Sequence, residues 1–240
     1  VLVPDDDDPP GMEFYGMPVF KYEDLYIGQL WAYQTPPEEP QIRFAGSIHV
    51  QLAGSRDGRV WERLGGRKPF IPNGPPGSID HWEAMTAQSP VVMGDELWFY
   101  YSGTSRDHSG TLDPAANGRS GIGRAVMRLD GFVSADAGYG GGELITPTIR
   151  FEGNRLELNL DTGGGGSVRV EIQDAYGQPI PGYTEEDAPF ICGNSVRLPV
   201  SWETNQDVSA LSGKPIRLRF VMQDCKLYAF QFTKGSPADS

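Results

Sequence analysis

The sequence predicts an all-β chain in two regions: two copies of a four-stranded unit, then a β-sandwich. Three observations lead there. The stretch PVVMGDELWFYYSG at 90–103 reads as two strands joined at Gly94-Asp95, with an aromatic, strand-prone second half. The same layout stands 72 positions earlier in PVFKYEDLYIGQLW at 18–31. Pro18 answers to Pro90, Val19 to Val91, Leu25 to Leu97 and Tyr26 to Trp98, and an acidic pair marks each turn (Glu23-Asp24, Asp95-Glu96). From about Glu143 onward, period-2 alternation takes over, plainest at 155–160 and 217–220.

In chain order, residues 1–17 open with four aspartates, Asp5 to Asp8, closed by Pro9-Pro10. The run reads as a solvated loop; structural calcium is the alternative, since carboxylate oxygens suit it, though the ligand spacing of a known calcium loop is absent. Glu13-Phe14-Tyr15-Gly16 then places a carboxylate and a phenol directly before the first repeat, either as site groups or as a satisfied structural pair. The first unit continues through IHVQLAGSRDGRVW (48–61) to Asp57-Gly58, with a proline-rich loop at 35–40. A long Gly/Pro-rich connection at 65–79 leads to Asp80-His81-Trp82-Glu83, the densest cluster of chemical groups in the chain. This cluster precedes the second copy as Glu13 to Tyr15 precede the first, so equivalent units would turn both toward one space. The second copy ends in IGRAVMRLDGFVS (122–134), where Asp130-Gly131 stands 73 positions after its counterpart, and its polar loop at 102–117 carries His108.

Beyond it, turns at 163–166 and Ala175-Tyr176-Gly177 separate alternating strands, and 207–212 reads as a single helical turn. About seven strands over roughly 95 residues are the pattern of a β-sandwich. The expected division is 1–140 for the repeats, 141–234 for the sandwich and 235–240 for a tail.

Composition narrows the function classes. The formal charge of -12 argues against nucleic acid, whose phosphates call for a basic face; neutral or cationic ligands, neutral carbohydrate in particular, remain compatible. No window reaches about 18 uninterrupted apolar residues, so no membrane span is expected. The 31 glycines and 20 prolines are spread through the chain, as short strands with tight turns require. Two cysteines, Cys192 and Cys225, are not a disulfide framework and read as free buried thiols, with pairing as the alternative. No zinc-type Cys/His spacing occurs, so neither metal nor cofactor is expected beyond that calcium. The chain begins at Val1 without a recognisable export signal, which reads as a fragment or a processed start and leaves localisation open.

Four strands per unit, aromatic in the middle and closed by Asp-Gly, is how a β-propeller blade reads, and a ring closes only with about four or more blades. Two blades leave open edges. The expectation is therefore an incomplete β-propeller followed by a β-sandwich, with the remaining blades on the same gene product or on a partner chain. One irregular sandwich holding all the strands is the alternative.

The segments DPPGMEFYGMPVF, VQLAGSRDGRVWERL, GPPGSID, PVVMGDELWFYYSG, GIGRAVMRLDGFVS and LSGKPIRLRFVMQDCKLYAFQF carry a more specific resemblance. Together they resemble the C-terminal part of five-bladed propeller glycosidases of the clan holding glycoside hydrolase families 32 and 43, and within it a group of bacterial family-32-like proteins. The resemblance implies a glycoside hydrolase-like chain acting on an oligosaccharide or polysaccharide. It also implies that the catalytic carboxylates of the first three blades lie elsewhere, so no nucleophile or proton donor is assigned by motif. That group carries an Asp-Ser-Gly-Met stretch; Asp80 matches it and the next three residues depart from it. The family's His-Gly is here His108-Ser109-Gly110.

Hydrolysis of a glycosidic bond needs two carboxylates, roughly 5 Å apart for retention or 6.5–9.5 Å for inversion. Asp80, Glu83 and Glu13 are the available candidates, with Tyr15, Trp82, Tyr101 and His108 as substrate-binding groups. Tyr101 reads equally as packing between blades, and His108 as a loop hydrogen-bonder. The competing function is a non-catalytic carbohydrate-binding or structural module.

Overall fold

The computed structural model describes residues 2–36, 45–109 and 118–235. Parts of the loops expected at 35–40 and 102–117, and nearly all of the tail expected at 235–240, lie outside the described residues. The chain is all-β. Among the described residues the helical turns are two short 3-10 turns, Gly65–Arg67 and Ser209–Leu211, the second inside the helical turn read at 207–212. No helix among them is long and apolar enough to cross a membrane. Two compact units divide the chain, 1–129 and 130–240.

In the first unit, β1 (Met12–Gly16) and β2 (Val19–Tyr22) form one broken strand along β3 (Leu25–Gln34). Strand β3 pairs with β4 (Ser47–Ser55), and β4 with the short β5 (Glu62–Arg63). The second repeat follows the same plan: β6 (Glu83–Thr86) and β7 (Val91–Met93) lie along β8 (Glu96–Thr104), which pairs with β9 (Ser120–Arg128). It contributes three strand positions where the first contributes four. A single parallel bridge, Ile48 to Glu83, joins the two repeats, and the Ile48 N–H donates to the Trp82 carbonyl at 2.9 Å.

Strand register shows how the repeats correspond. Tyr22 pairs with Leu25 across Glu23-Asp24, and Met93 pairs with Glu96 across Gly94-Asp95, so the hairpins are offset by 71 positions (94 minus 23) rather than 72. The one-residue difference matters, because a slip of one residue exchanges the faces of a strand. On the 71-residue offset, Ile27, Gln29, Trp31 and Tyr33 share a face that corresponds to Trp98, Tyr100, Ser102 and Thr104. Glu13 pairs with Tyr33 and Glu83 pairs with Thr104. Since 33 plus 71 is 104, the two glutamates occupy the same place in their repeats.

The repeats pack head to tail. From the first, Phe20 meets Phe99 at 6.4 Å between ring centres, and Phe70, on the connecting segment, meets it edge-on at 5.1 Å. Gln29 Nε2 donates to the carbonyls of Ala87 and Gln88, and Trp31 Nε1 to the Thr86 hydroxyl. Phe99 and Leu97 are fully buried on the opposite-facing side of the second repeat, so one face type covers the other, as in successive blades.

The aspartate run is tied down. The Arg63 guanidinium donates to Asp8 at 2.5 Å and to Gln51, and lies 5.0 Å over the Phe14 ring; Arg67 takes Asp5. Side chains of Arg63 and Asp8 are only 5% and 3% exposed, an interior pair that closes a run whose first three aspartates, Asp5 to Asp7, stay exposed as the solvated-loop reading expects. Among the described residues no group of three or more His, Cys, Asp or Glu is placed to hold a metal ion.

The second unit is a sandwich of two sheets. One runs β10 (Ala135–Ala137), β16 (Cys225–Thr233), β12 (Arg155–Asp161), β14 (Asn194–Pro199); the other runs β11 (Gly142–Ile145), β15 (Ile216–Gln223), β13 (Ser167–Asp174). Residues 135–137, read from the sequence as part of the repeat region, belong here because they pair with 225–227. Val168, Val170 and Ile172 stand opposite Met222, Phe220 and Leu218 and fill the core with Leu156, Leu158 and Leu160. Buried Trp202 donates its indole N–H to the Val170 carbonyl at 2.8 Å. The cysteines are both free, but only Cys225 is buried: Cys192 is exposed at the start of a loop-to-strand passage, which corrects the reading of two buried thiols.

Burial alone pushes the Asp8 carboxyl up, but the hydrogen bonds from Arg63 and from the Asp5 N–H outweigh it and hold the group below its usual 3.8. Asp8→Asn leaves the guanidinium buried without its counter-charge and is expected to cost about 3–5 kcal/mol at neutral pH. Because the folded carboxyl titrates below the unfolded one, the wild type keeps this contribution above about pH 5 and loses it as acid carries the pH down through the lowered value. Thermal melts of both proteins across pH should therefore show a gap that is constant near neutrality and closes in strong acid; a gap independent of pH refutes the account.

Candidate functional site

The site is assembled around the short segment 45–48. The Tyr33 hydroxyl donates to the Ala45 carbonyl at 2.9 Å, and the His108 backbone N–H donates to the Gly46 carbonyl at 2.9 Å. Two residues on, Ile48 anchors β6 through Trp82 and accepts from Asn73 Nδ2 at 2.8 Å. This one stretch therefore places Tyr33, His108 and Glu83 together.

His108 Nδ1 lies 2.7 Å from Glu83 Oε1, with side chains 24% and 8% exposed. A carboxylate oxygen accepts, so the ring Nδ1–H is the donor of this contact. Two tyrosines wall the imidazole: Tyr15 edge-on at 4.9 Å and Tyr33 at 5.5 Å. Tyr33 is buried, and burial raises its phenol above the usual 10.0; Glu13, Asp107, Glu83 and Tyr15 add to the effect, in that order, which places all four around it. Asp107 is buried as well and accepts from the Ser109 N–H at 3.0 Å. Tyr15 remains 54% exposed. An open groove of about 400 Å³ starts at Glu83 and His108 and runs over Met85, Ser102, Thr104 and Ser120.

The cluster unites four residues read from the sequence: Glu83, Glu13, Tyr15 and His108. Asp80, Tyr101 and Trp82 go elsewhere. The Tyr101 hydroxyl donates to Asp80 Oδ2 at 2.7 Å, from the face of β8 opposite to that of Thr104. The Ser78 hydroxyl beside it and the Tyr101 phenol hold the Asp80 carboxyl below its usual range, while burial and Asp80 push the Tyr101 phenol up to about 12. Gly74 and Gly103 both pack against Asp80 so closely that a Cβ on either would meet it within 2.8 Å. Asp80 thus clamps the 65–79 connection to β8. Trp82 packs edge-on against His81 at 5.4 Å.

Tyr33 and Asp107 were not read from the sequence. Tyr33 was accessible in principle, since it continues the Gln29, Trp31 alternation on the face of Glu13, but the face depends on a register that the 72-residue alignment sets one residue off. Asp107 is buried by a loop whose path no local pattern encodes.

The chain matches no protein-family model and no curated protein. Among solved structures, it is similar to an N-acetylgalactosamine deacetylase from F. plautii bound to blood group B trisaccharide, with 18% identity over 50% of this chain and 34% of that one, TM-score 0.36. It is also similar to a glycoside hydrolase family 43 arabinoxylan arabinofuranohydrolase from Bacillus subtilis bound to cellotetraose, with 12% identity over 91% of this chain and 54% of that one, TM-score 0.26. The chain thus spans about a third and about half of these proteins, and at TM-scores below 0.5 neither assigns it a family or a substrate.

Gly46 offers a test that touches no charged group. A Cβ there would lie 2.5 Å from the Gln34 carbonyl oxygen and 2.6 Å from the Tyr33 ring. Gly46→Ala is expected to displace Tyr33 and with it the His108 wall, at about 1–3 kcal/mol; an unchanged melting temperature and an unchanged tyrosine environment by near-ultraviolet dichroism would show that this segment does not set the site.

Proposed function

We propose that the chain is a carbohydrate-active protein whose first unit engages a glycan at Glu83, His108, Tyr15 and Glu13, with glycoside hydrolysis as its chemistry. The observation that carries this reading is the contact of buried Glu83 with half-buried His108 at 2.7 Å at one end of a groove, with the exposed Tyr15 ring packed edge-on against the imidazole. The Tyr15 ring offers an apolar face to a pyranose, and Glu83 and Glu13 supply the two carboxylates that cleavage of a glycosidic bond requires. In this scheme one carboxyl protonates the departing oxygen. The other attacks the anomeric carbon or activates water, while His108 holds Glu83 in place. Asp80, bound by Tyr101 and packed by two glycines, serves the scaffold.

The non-catalytic alternative rests on a specific observation too: Glu83 already has a hydrogen-bond partner, and a carboxylate so held beside an aromatic ring binds a sugar as readily as it cleaves one. Reducing-end release from neutral oligosaccharides, with titration calorimetry alongside, separates the two. Glu83→Gln and Glu13→Gln should each lower turnover by about 10²–10⁴-fold and leave binding largely intact. Binding that Tyr15→Ala removes, without any turnover in the wild type, selects the binding reading. A wild type that neither binds nor cleaves any neutral glycan overturns both.

The proposal extends to what the first unit packs against. In the second repeat, Val91, Met93, Tyr100, Ile122 and Val126 are exposed by 38–75% on the face equivalent to the one that, in the first repeat, the second repeat covers. A further repeat of the same kind is its partner, stacked head to tail over the end of this face that carries Val91, Met93, Tyr100 and Val126, with the Ser102, Thr104 and Ser120 end left to the groove. Sedimentation at rising concentration should show self-association of this chain that Val126→Glu weakens; a wild type that stays monomeric and binds no hydrophobic dye sinks this extension.

A further inference from the structure

We infer a second glycan-binding site, on the sandwich unit, that takes a neutral saccharide. It lies on the outer face of the sheet formed by β11, β15 and β13, in a groove of about 500 Å³, a size within the range of small-ligand sites. It goes beyond the site at Glu83, and it does not require that site to be catalytic.

Register builds the floor. Glu143, Val221 and Arg169 stand side by side across the three strands, and Gln223 and Ser167 form the next row. Three consecutive glycines, Gly140 to Gly142, make one bank, so backbone rather than side chain borders the groove there. On the other bank stands Phe190, 69% exposed, an unusual place for a bare phenyl ring on a surface otherwise rich in charge. The ring is not loose. The Arg169 guanidinium stacks on it at 4.9 Å and is itself tied to Glu185 by its Nη1 contact to the carbonyl at 3.3 Å and by a carboxylate contact. An arginine-backed aromatic with so much of its surface open is a prearranged stacking platform, which lowers the ordering cost of binding.

The charges decide the ligand class. Arg219 donates to Glu143 at 2.6 and 3.2 Å and to Glu185 at 2.9 Å, and lies 3.5 Å from Glu171. Two guanidiniums thus face three carboxylates, with no surplus positive charge to hold a phosphate, sulfate or uronate. Of these groups Glu143 and Arg169 line the groove; each is oriented by a partner, and a carboxylate has more acceptor sites, and a guanidinium more N–H donors, than those contacts use. The Phe190 face, apolar Val221 and the partnered Glu143 and Arg169 in one groove match the alternating apolar and hydroxyl surface of a pyranose.

Native affinity electrophoresis of the full chain in gels containing neutral β-glucan, arabinan, arabinoxylan or galactomannan, with polygalacturonate as the anionic control, tests the site. The wild type should be retarded by at least one neutral polymer and not by polygalacturonate. Phe190→Ala, at a position too exposed to unfold the protein, should weaken that retention by about tenfold with an unchanged melting temperature, whereas Glu83→Gln and Tyr15→Ala should leave part of it. No retention by any neutral polymer, retention that Phe190→Ala leaves intact, or retention by polygalacturonate alone overturns the inference. Because Tyr15 and Glu83 variants are read in the same gels, failure here and failure of the first-unit site give different patterns.

Discussion

The first unit depends on the backbone of residues 45–48. Its carbonyls and amides hold the Tyr33 hydroxyl, the His108 amide and the entry to β6, and it forms the single bridge by which the repeats share a sheet. Backbone groups buried between strands must be paired; Ser47 and Ile48 do so in the ladder with β3, while the carbonyls of Ala45 and Gly46 take the Tyr33 hydroxyl and the His108 amide instead. That is why Gly46 is glycine although its φ lies outside the left-handed region: the constraint is the approach of Gln34 and of the Tyr33 ring. Remove the close approach and Glu83 would still begin a strand, but His108 and Tyr33 would have no reason to meet it.

Repetition then explains why the site has two carboxylates. Glu13 and Glu83 are the same position of one unit used twice, the second residue of β1 and the first of β6, paired with Tyr33 and Thr104 at equivalent points. What differs is the neighbour. Glu13 looks toward Tyr33 and stays exposed on its strand, whereas Glu83, covered by the junction, falls to 6% exposure and acquires His108. Duplicated scaffolding with unequal burial is a direct way to give two like carboxyls unlike environments.

The all-β class, the duplicated hairpin and the alternating sandwich strands were legible because each rests on periodicity within a dozen residues. The site was legible in part. Glu13, Tyr15, Glu83 and His108 are marked by chemistry and by their place before or after a repeat, which local reading detects. Asp80 carries the same marks and belongs to the scaffold, since only the fold shows Tyr101 aimed at it and two glycines pressed around it. The 71-residue offset was hidden for a related reason: Leu25 and Leu97 match as letters, while the turn that sets their faces begins one residue earlier in the second copy. Chemistry is local, but which side of a sheet it faces is decided by pairing.

The choice of cationic partner separates scaffold from site. Asp8 and Glu171, each with its side chain 5% exposed or less, are held by Arg63 and Arg219, as Glu185 is by Arg169 and Arg219. Arginine keeps its proton throughout the working range, so these pairs are permanent clamps whose value is positional. Glu83, at comparable burial, is given a histidine instead. An imidazole offers fewer donors than the fork of a guanidinium. Placed at the end of an open groove, with the exposed Tyr15 ring against its histidine, Glu83 stands apart from the arginine-held acids Asp8, Glu171 and Glu185.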